Sequence, residues 1–146
     1  MLPGVVCGAE TRVGRALDAA ADLRAELSSI AVIDGAQVVA GTVEPSPAEV
    51  DSILALFQDR DEAMVNGIAF AGNRFDTHRF YPDAGLVYGR RGDSNSGEGV
   101  CVHRVRGADG GGGGRVLLVV FTYALPTLSA RAIPLVQKFA QANLVH

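Results

Sequence analysis

Apolar residues at Val13, Ala16, Leu17, Ala20, Leu23 and Leu27 recur at helical spacing, which predicts one amphipathic helix over Thr11–Leu27. Ser29-Ile30-Ala31-Val32-Ile33 and Gln37-Val38-Val39-Ala40 are parted by Asp34-Gly35. They predict a β-hairpin, because Asp-Gly supplies the positive φ angles of a tight turn. Ser46-Pro47-Ala48-Glu49 is a capping box with proline at the first helical position, and Val50, Ile53, Leu54 and Phe57 then line one face of a second helix. After Asn66-Gly67 the helical period gives way to five short β-rich runs: Ile68–Ala71, Arg74–Tyr81, Leu86–Arg90, Val100–Val105 and Val116–Thr122. The connections are short enough to favour an antiparallel meander. From Ser129 onward Ile133, Val136, Ala140 and Leu144 predict a closing helix, with Leu135 and Phe139 widening its apolar side. Pro134 moves its expected regular start to about Ile133. The tract Gly110–Gly114 has no side chains to pack and is expected to be a flexible hairpin loop. The order α-β-β-α-β-β-β-β-β-α, without an internal repeat or linker, predicts one α+β domain over residues 1–146.

Composition narrows the class. With 48% hydrophobic and 20% charged residues over 146 positions, the chain has enough apolar material for a core without staples. Its longest apolar run, Val116–Phe121, is far shorter than the roughly 18 residues a membrane helix needs, so the chain is expected to be soluble and unexported. Cys7 and Cys101 make no disulfide framework and no metal-ligand spacing, which favours a reducing compartment. The net charge of −3 excludes a generally basic nucleic-acid binder but hides an asymmetry. Glu10–Glu62 holds eleven acids against four arginines, whereas Arg74–Arg106 holds six arginines against four acids. The acidic part is helical by pattern and the basic part lies mostly on strands, and a solvated charged surface would explain both.

Candidate chemistry is sparse. Cys101 and His103 share one face of a strand, where an imidazole could activate a thiol, but no third orienting group is visible. A packed cysteine beside a strand-end histidine is the commoner arrangement. The loop Gly92–Gly99 is rich in Gly and Ser and could cradle a phosphate, yet it matches no nucleotide-binding pattern and precedes a strand, not a helix. Arg91-Gly92-Asp93 is a three-residue chance match to an adhesion motif. No cofactor and no metal site is expected. Arg74, Arg90, Arg91 and Arg104 fall on neighbouring strands and could form a patch for carboxylates or lipid phosphates.

In order and spacing, several phrases resemble the profilin family over about residues 28–145. They are Ile30–Gly35; the capped helix at Ser46–Phe57; Gly67-Ile68-Ala69-Phe70-Ala71-Gly72-Asn73-Arg74-Phe75; Leu86-Val87-Tyr88-Gly89-Arg90-Arg91-Gly92; Gly99-Val100-Cys101-Val102; and Val136-Gln137-Lys138-Phe139-Ala140. The resemblance implies a central antiparallel sheet of about seven strands, with the terminal helices on one face and the middle helix on the other. It implies a non-enzymatic protein that binds actin monomers through the central strands and the start of the last helix. Carried onto this chain, that surface would include Arg74, Arg90 and Arg91, with Arg104, Arg131 and Lys138 as neighbours. Actin is acidic overall, so a basic sheet surface would speed encounter. The resemblance further implies a cytoplasmic, cytoskeleton-associated protein, with phosphoinositide lipids as additional partners.

The proline-rich-ligand groove of the family departs most. Its aromatic positions fall here at Val38 or Val39 and near Ala142, close to the terminal His146, and the chain has no tryptophan. Stacking a polyproline helix needs flat aromatic walls, so binding of proline-rich proteins is expected to be weak or absent. Two other classes fit the same sheet scaffold: a small-molecule sensor or trafficking adaptor, and an enzyme built on Cys101 and His103.

Overall fold

The computed structural model describes residues 4–92, 97–106 and 116–144. In chain order the elements are α1 (Arg12–Ala19), α2 (Ala21–Glu26), β1 (Ser29–Asp34), β2 (Gln37–Gly41), α3 (Pro47–Ala55), α4 (Arg60–Asn66), β3 (Ile68–Phe70), β4 (Asn73–Tyr81), β5 (Leu86–Arg91), β6 (Glu98–Arg106), β7 (Val116–Ala124) and α5 (Ser129–Asn143). A 3-10 turn at Pro82–Ala84 joins β4 to β5. The strands form one antiparallel sheet in the order β2-β1-β7-β6-β5-β4-β3.

Alternation along the strands divides the sheet into two buried faces. Ile30, Val32, Cys101, Val119, Phe121 and Tyr123 pack beneath α1, α2 and α5. Ala31, Ile33, Val87, Val100, Val102 and Val120 pack beneath α3 and α4 on the opposite side. Burial on both sides is why the central strand β7 reads as a continuous apolar run and not as an alternating one. The terminal helices lie on one face and the middle helices on the other, the arrangement the resemblance implies.

The capping box forms as the sequence predicts. The Glu49 backbone N–H donates to the Ser46 hydroxyl at 3.2 Å, and the Ser46 N–H donates to the Glu49 carboxylate at 3.0 Å. Three other expectations are corrected. The helix predicted over Thr11–Leu27 is broken at Ala20, whose ψ of 69° leaves the helical region. The break lets α2 turn toward α5, and Arg24 donates to the freed Asp18 carbonyl at 2.9 Å. A separate helix, α4, follows α3, with the Asp59 carboxylate accepting the Glu62 N–H at 3.1 Å. Helix α5 begins at Ser129 despite Pro134, because the carbonyl deprived of its partner belongs to exposed Ala130. The Gly110–Gly114 tract lies outside the described residues.

Glu26, at the end of α2, ties the terminal helices together. Its carboxylate accepts from the Thr127 hydroxyl at 2.9 Å and from the Arg131 guanidinium at 3.2 Å. These contacts, Thr127 first, hold its pKa below the ordinary value. A carboxyl with a lowered folded-state pKa stabilises the fold above its unfolded pKa of about 4.3 and loses that contribution as pH falls through the folded value. Glu26→Gln is therefore expected to lower stability at pH 7 and to flatten the acid limb of stability against pH, wild type and variant converging toward about pH 3. An identical acid limb in wild type and variant, read by thermal unfolding between about pH 3 and 7, would refute this role.

Candidate functional site

The six basic residues singled out by sequence do not converge on one surface. Arg74 turns back onto the end of α4, where its guanidinium donates to the Asn66 and Val65 carbonyls at 3.0 Å each. Arg91 and Arg104 point to the face of α3 and α4. Arg91 pairs with Glu98 across the ladder at 3.2 Å and lies 5.6 Å from the centre of the Phe75 ring. Arg104 stacks over Phe57 at 4.5 Å and donates to the Pro82 carbonyl at 2.7 Å. That stacking accounts for the failed alternation along β6, since Val100, Val102 and Arg104 do share a face and Arg104 lies where Phe57 ends the helical cover. Arg131 is engaged with Glu26, and Lys138 stands exposed on α5. Of these six, only Arg90 projects from the central strands on the face of the terminal helices.

On that face Arg90 meets a second arginine that the sequence pattern did not single out. The register of β4 against β5 shifts between Thr77 and Arg79, leaving His78 as an extra residue. Strict alternation from Phe75 would put Arg79 on the same side as Phe75. The bulge reverses the phase, so Arg79 pairs with Tyr88 on the terminal-helix face while Phe80 turns inward against Phe57. Arg79 and Arg90 then line a hollow of about 360 Å³ with His78, Tyr88, Gly89, Tyr123 and Ser129. Tyr123 is 2% exposed and forms the floor. Burial pushes its phenol pKa up to about 12, so it is a neutral hydroxyl at any physiological pH. Burial also raises the Tyr88 pKa, with neighbouring Tyr81 adding to it and the charge of Arg79 opposing it. The rings of Tyr81 and Tyr88 lie 6.0 Å apart, and Tyr81 is exposed, as are Leu125 and Leu128 in the segment that joins Tyr123 to Ser129. The terminal-helix face thus leaves uncovered an apolar and aromatic rim about two guanidinium groups.

No protein-family model matches the sequence, and no curated protein matches it either. Solved structures do match. Profilin II of Acanthamoeba castellanii superposes with a TM-score of 0.63 at 22% identity, over 81% of this chain and 85% of that one. Schizosaccharomyces pombe profilin gives 0.63 at 22%, over 82% and 86%, and Acanthamoeba castellanii profilin IA gives 0.63 at 19%, over 81% and 85%. The fold is that of profilin. Identities this low establish architecture and leave the site to be argued from its own residues.

Seen on the profilin fold, the positions mapped to the proline-rich groove are separated. Val38 packs toward α3 and Val39 toward the terminal helices, because successive residues of a strand point to opposite faces. Ala142 lies with Ala19, Ala20, Leu23, Leu135 and Phe139 along an apolar groove between α5 and the α1–α2 junction. His146 falls outside the described residues. The one aromatic ring in this groove is that of Phe139, itself 7% exposed.

Cys101 and His103 do share a face, as expected, but their surroundings oppose thiol chemistry. Cys101 is fully buried, and burial raises its pKa well above the ordinary thiol range. His103 has its Nδ1 3.3 Å from the Gly85 carbonyl, and burial lowers its pKa. A neutral thiol beside a neutral imidazole in a closed core is a packing pair. Residues 93–96 of the loop considered for phosphate lie outside the described residues. Among the described residues no cluster of three His, Cys, Asp or Glu side chains could hold a metal, and no helix is long and apolar enough to cross a membrane.

Proposed function

We propose that this chain is a non-enzymatic, cytoplasmic regulator of actin assembly that binds an actin monomer through the uncovered part of its terminal-helix face. The observation that carries the reading is the hollow bounded by β4, β5, Tyr123 and the first residue of α5. It lies on the central strands and at the start of the last helix, the region through which family members are expected to meet actin, and it is basic. Arg79 and Arg90 supply positive charge for an acidic partner, while Tyr81, Tyr88, Leu125 and Leu128 supply the apolar contact area. About 800 Å² on each partner is the scale such a surface must reach.

Proline-rich proteins are weak or non-binding partners in this reading, because the groove beside Ala142 is walled mainly by alanine and leucine. Phosphoinositide lipids would compete for the same two guanidinium groups. Titration of purified actin monomers with the chain is expected to give a one-to-one complex in analytical ultracentrifugation and a longer lag in actin assembly. Absence of a complex up to about 100 μM, a free energy of roughly −5.5 kcal/mol, overturns the proposal.

A further inference from the structure

The hollow carries a more specific recognition chemistry than a diffuse positive patch. Arg79 and Arg90 come from adjacent strands, one diagonal step apart on the same face, so both guanidinium groups reach one small volume. Among the described residues neither forms an ion pair. Asp76 stands in register with Arg90 without reaching ion-pair distance. Ser129 opens helix α5 on the third side. The N-cap residue Leu128 offers no side-chain acceptor and the first turn holds no acid, so the helix dipole adds positive potential to the rim of a hollow that is already basic. Tyr88 and Ser129 add hydroxyl groups, and His78 lines the hollow as well. Every polar side chain lining this volume can donate a hydrogen bond, and no carboxylate lines it.

Resting on the function proposed above, we infer that this hollow receives a carboxylate side chain of the docked protein, held between the guanidinium groups of Arg79 and Arg90. A carboxylate is the planar acceptor that guanidinium groups bind in bidentate fashion, and the hollow has room to admit the side chain that carries it. The surroundings favour a protein over a lipid surface, because exposed Asp76 and Asp83 would meet an anionic bilayer, while Leu125, Leu128 and Tyr81 form the apolar rim of a protein interface.

Two measurements test this. Calorimetric titration with actin monomers compares wild type with the double variant Arg79→Gln, Arg90→Gln and with a control, Arg74→Gln, Lys138→Gln, that carries the same charge loss elsewhere. The expected result is about tenfold weaker binding for the first variant, loss of most of the salt dependence, and near wild-type behaviour for the control. Separately, succinate is expected to shift the Ser129 amide resonance of the free wild-type chain and not that of the first variant. Equal weakening by both variants, or no response to succinate, overturns the inference. A succinate response without actin binding by the wild-type chain upholds the carboxylate pocket and overturns the functional reading. Stronger capture by vesicles carrying anionic phospholipid than by actin, lost in the same double variant, assigns the pocket to lipid phosphate and overturns it as well.

Discussion

Replacing Gly89 with alanine is expected to lower stability by about 3 kcal/mol or more, a large fraction of the roughly 5–15 kcal/mol that holds a domain of this size. A Cβ at this position would lie 1.8 Å from the Asp76 carbonyl oxygen and 2.7 Å from its carbon. Both are backbone atoms of the neighbouring strand, so no side-chain rotation relieves the overlap. Either β4 separates from β5 or the bulge at His78 resets, and each outcome breaks ladder hydrogen bonds next to the hollow. Because Gly89 lies between Tyr88 and Arg90, the variant should also lose partner binding in whatever fraction remains folded. Chemical denaturation measures the first effect directly. A loss below about 1 kcal/mol would mean that the bulged ladder is compliant and that the arginines are not held in place by it.

Phe121→Ala is expected to cost about 3–5 kcal/mol. Phe121 is 0% exposed at the middle of β7, in register with Ile30 on one neighbouring strand and Cys101 on the other, and its ring lies 6.1 Å from that of Tyr123. It therefore packs into the layer between the sheet and the terminal helices, which is closed on all sides and cannot readily collapse around the void. Tyr123, the floor of the hollow, would lose a supporting ring, so binding should weaken along with stability. The measurement is the denaturation midpoint at constant slope. A cost near 1 kcal/mol would show that α5 moves in to fill the space.

Much of the fold was legible because local signals and burial agree. Ser46-Pro47-Ala48-Glu49 caps α3 with the side chains that the pattern assigns, and the strand runs after Gly67 become β3 to β7 with no end shifted by more than two residues. Helix α4 was legible in principle, since the Asp59 carboxylate caps it by accepting the Glu62 N–H, one half of the reciprocal arrangement at Ser46 and Glu49, but its few apolar residues hid it. The break at Ala20 has no local signal, because alanine favours helix and tertiary packing decides the turn.

The site was less legible than the fold. The charge asymmetry draws attention to the sheet, yet a count of arginines cannot say which of them are engaged at home. Arg74, Arg91, Arg104 and Arg131 each meet a carbonyl, an acid or a ring of this chain. Arg79 escaped notice because reading faces from a strand assumes unbroken alternation, and the extra residue at His78, directly before Arg79, breaks it.

That extra residue places the charge of the proposed binding face under the control of chain length as well as residue identity. Removing one position from β4 would exchange the destinations of Arg79 and Phe80, sending a cation toward the core and an aromatic ring to solvent, with the strand's remaining composition unaltered. A related chain could therefore gain or lose this surface through a single codon insertion or deletion, a change that comparison by percentage identity scarcely registers. Divergence among proteins of this fold can thus be abrupt in function while remaining gradual in sequence.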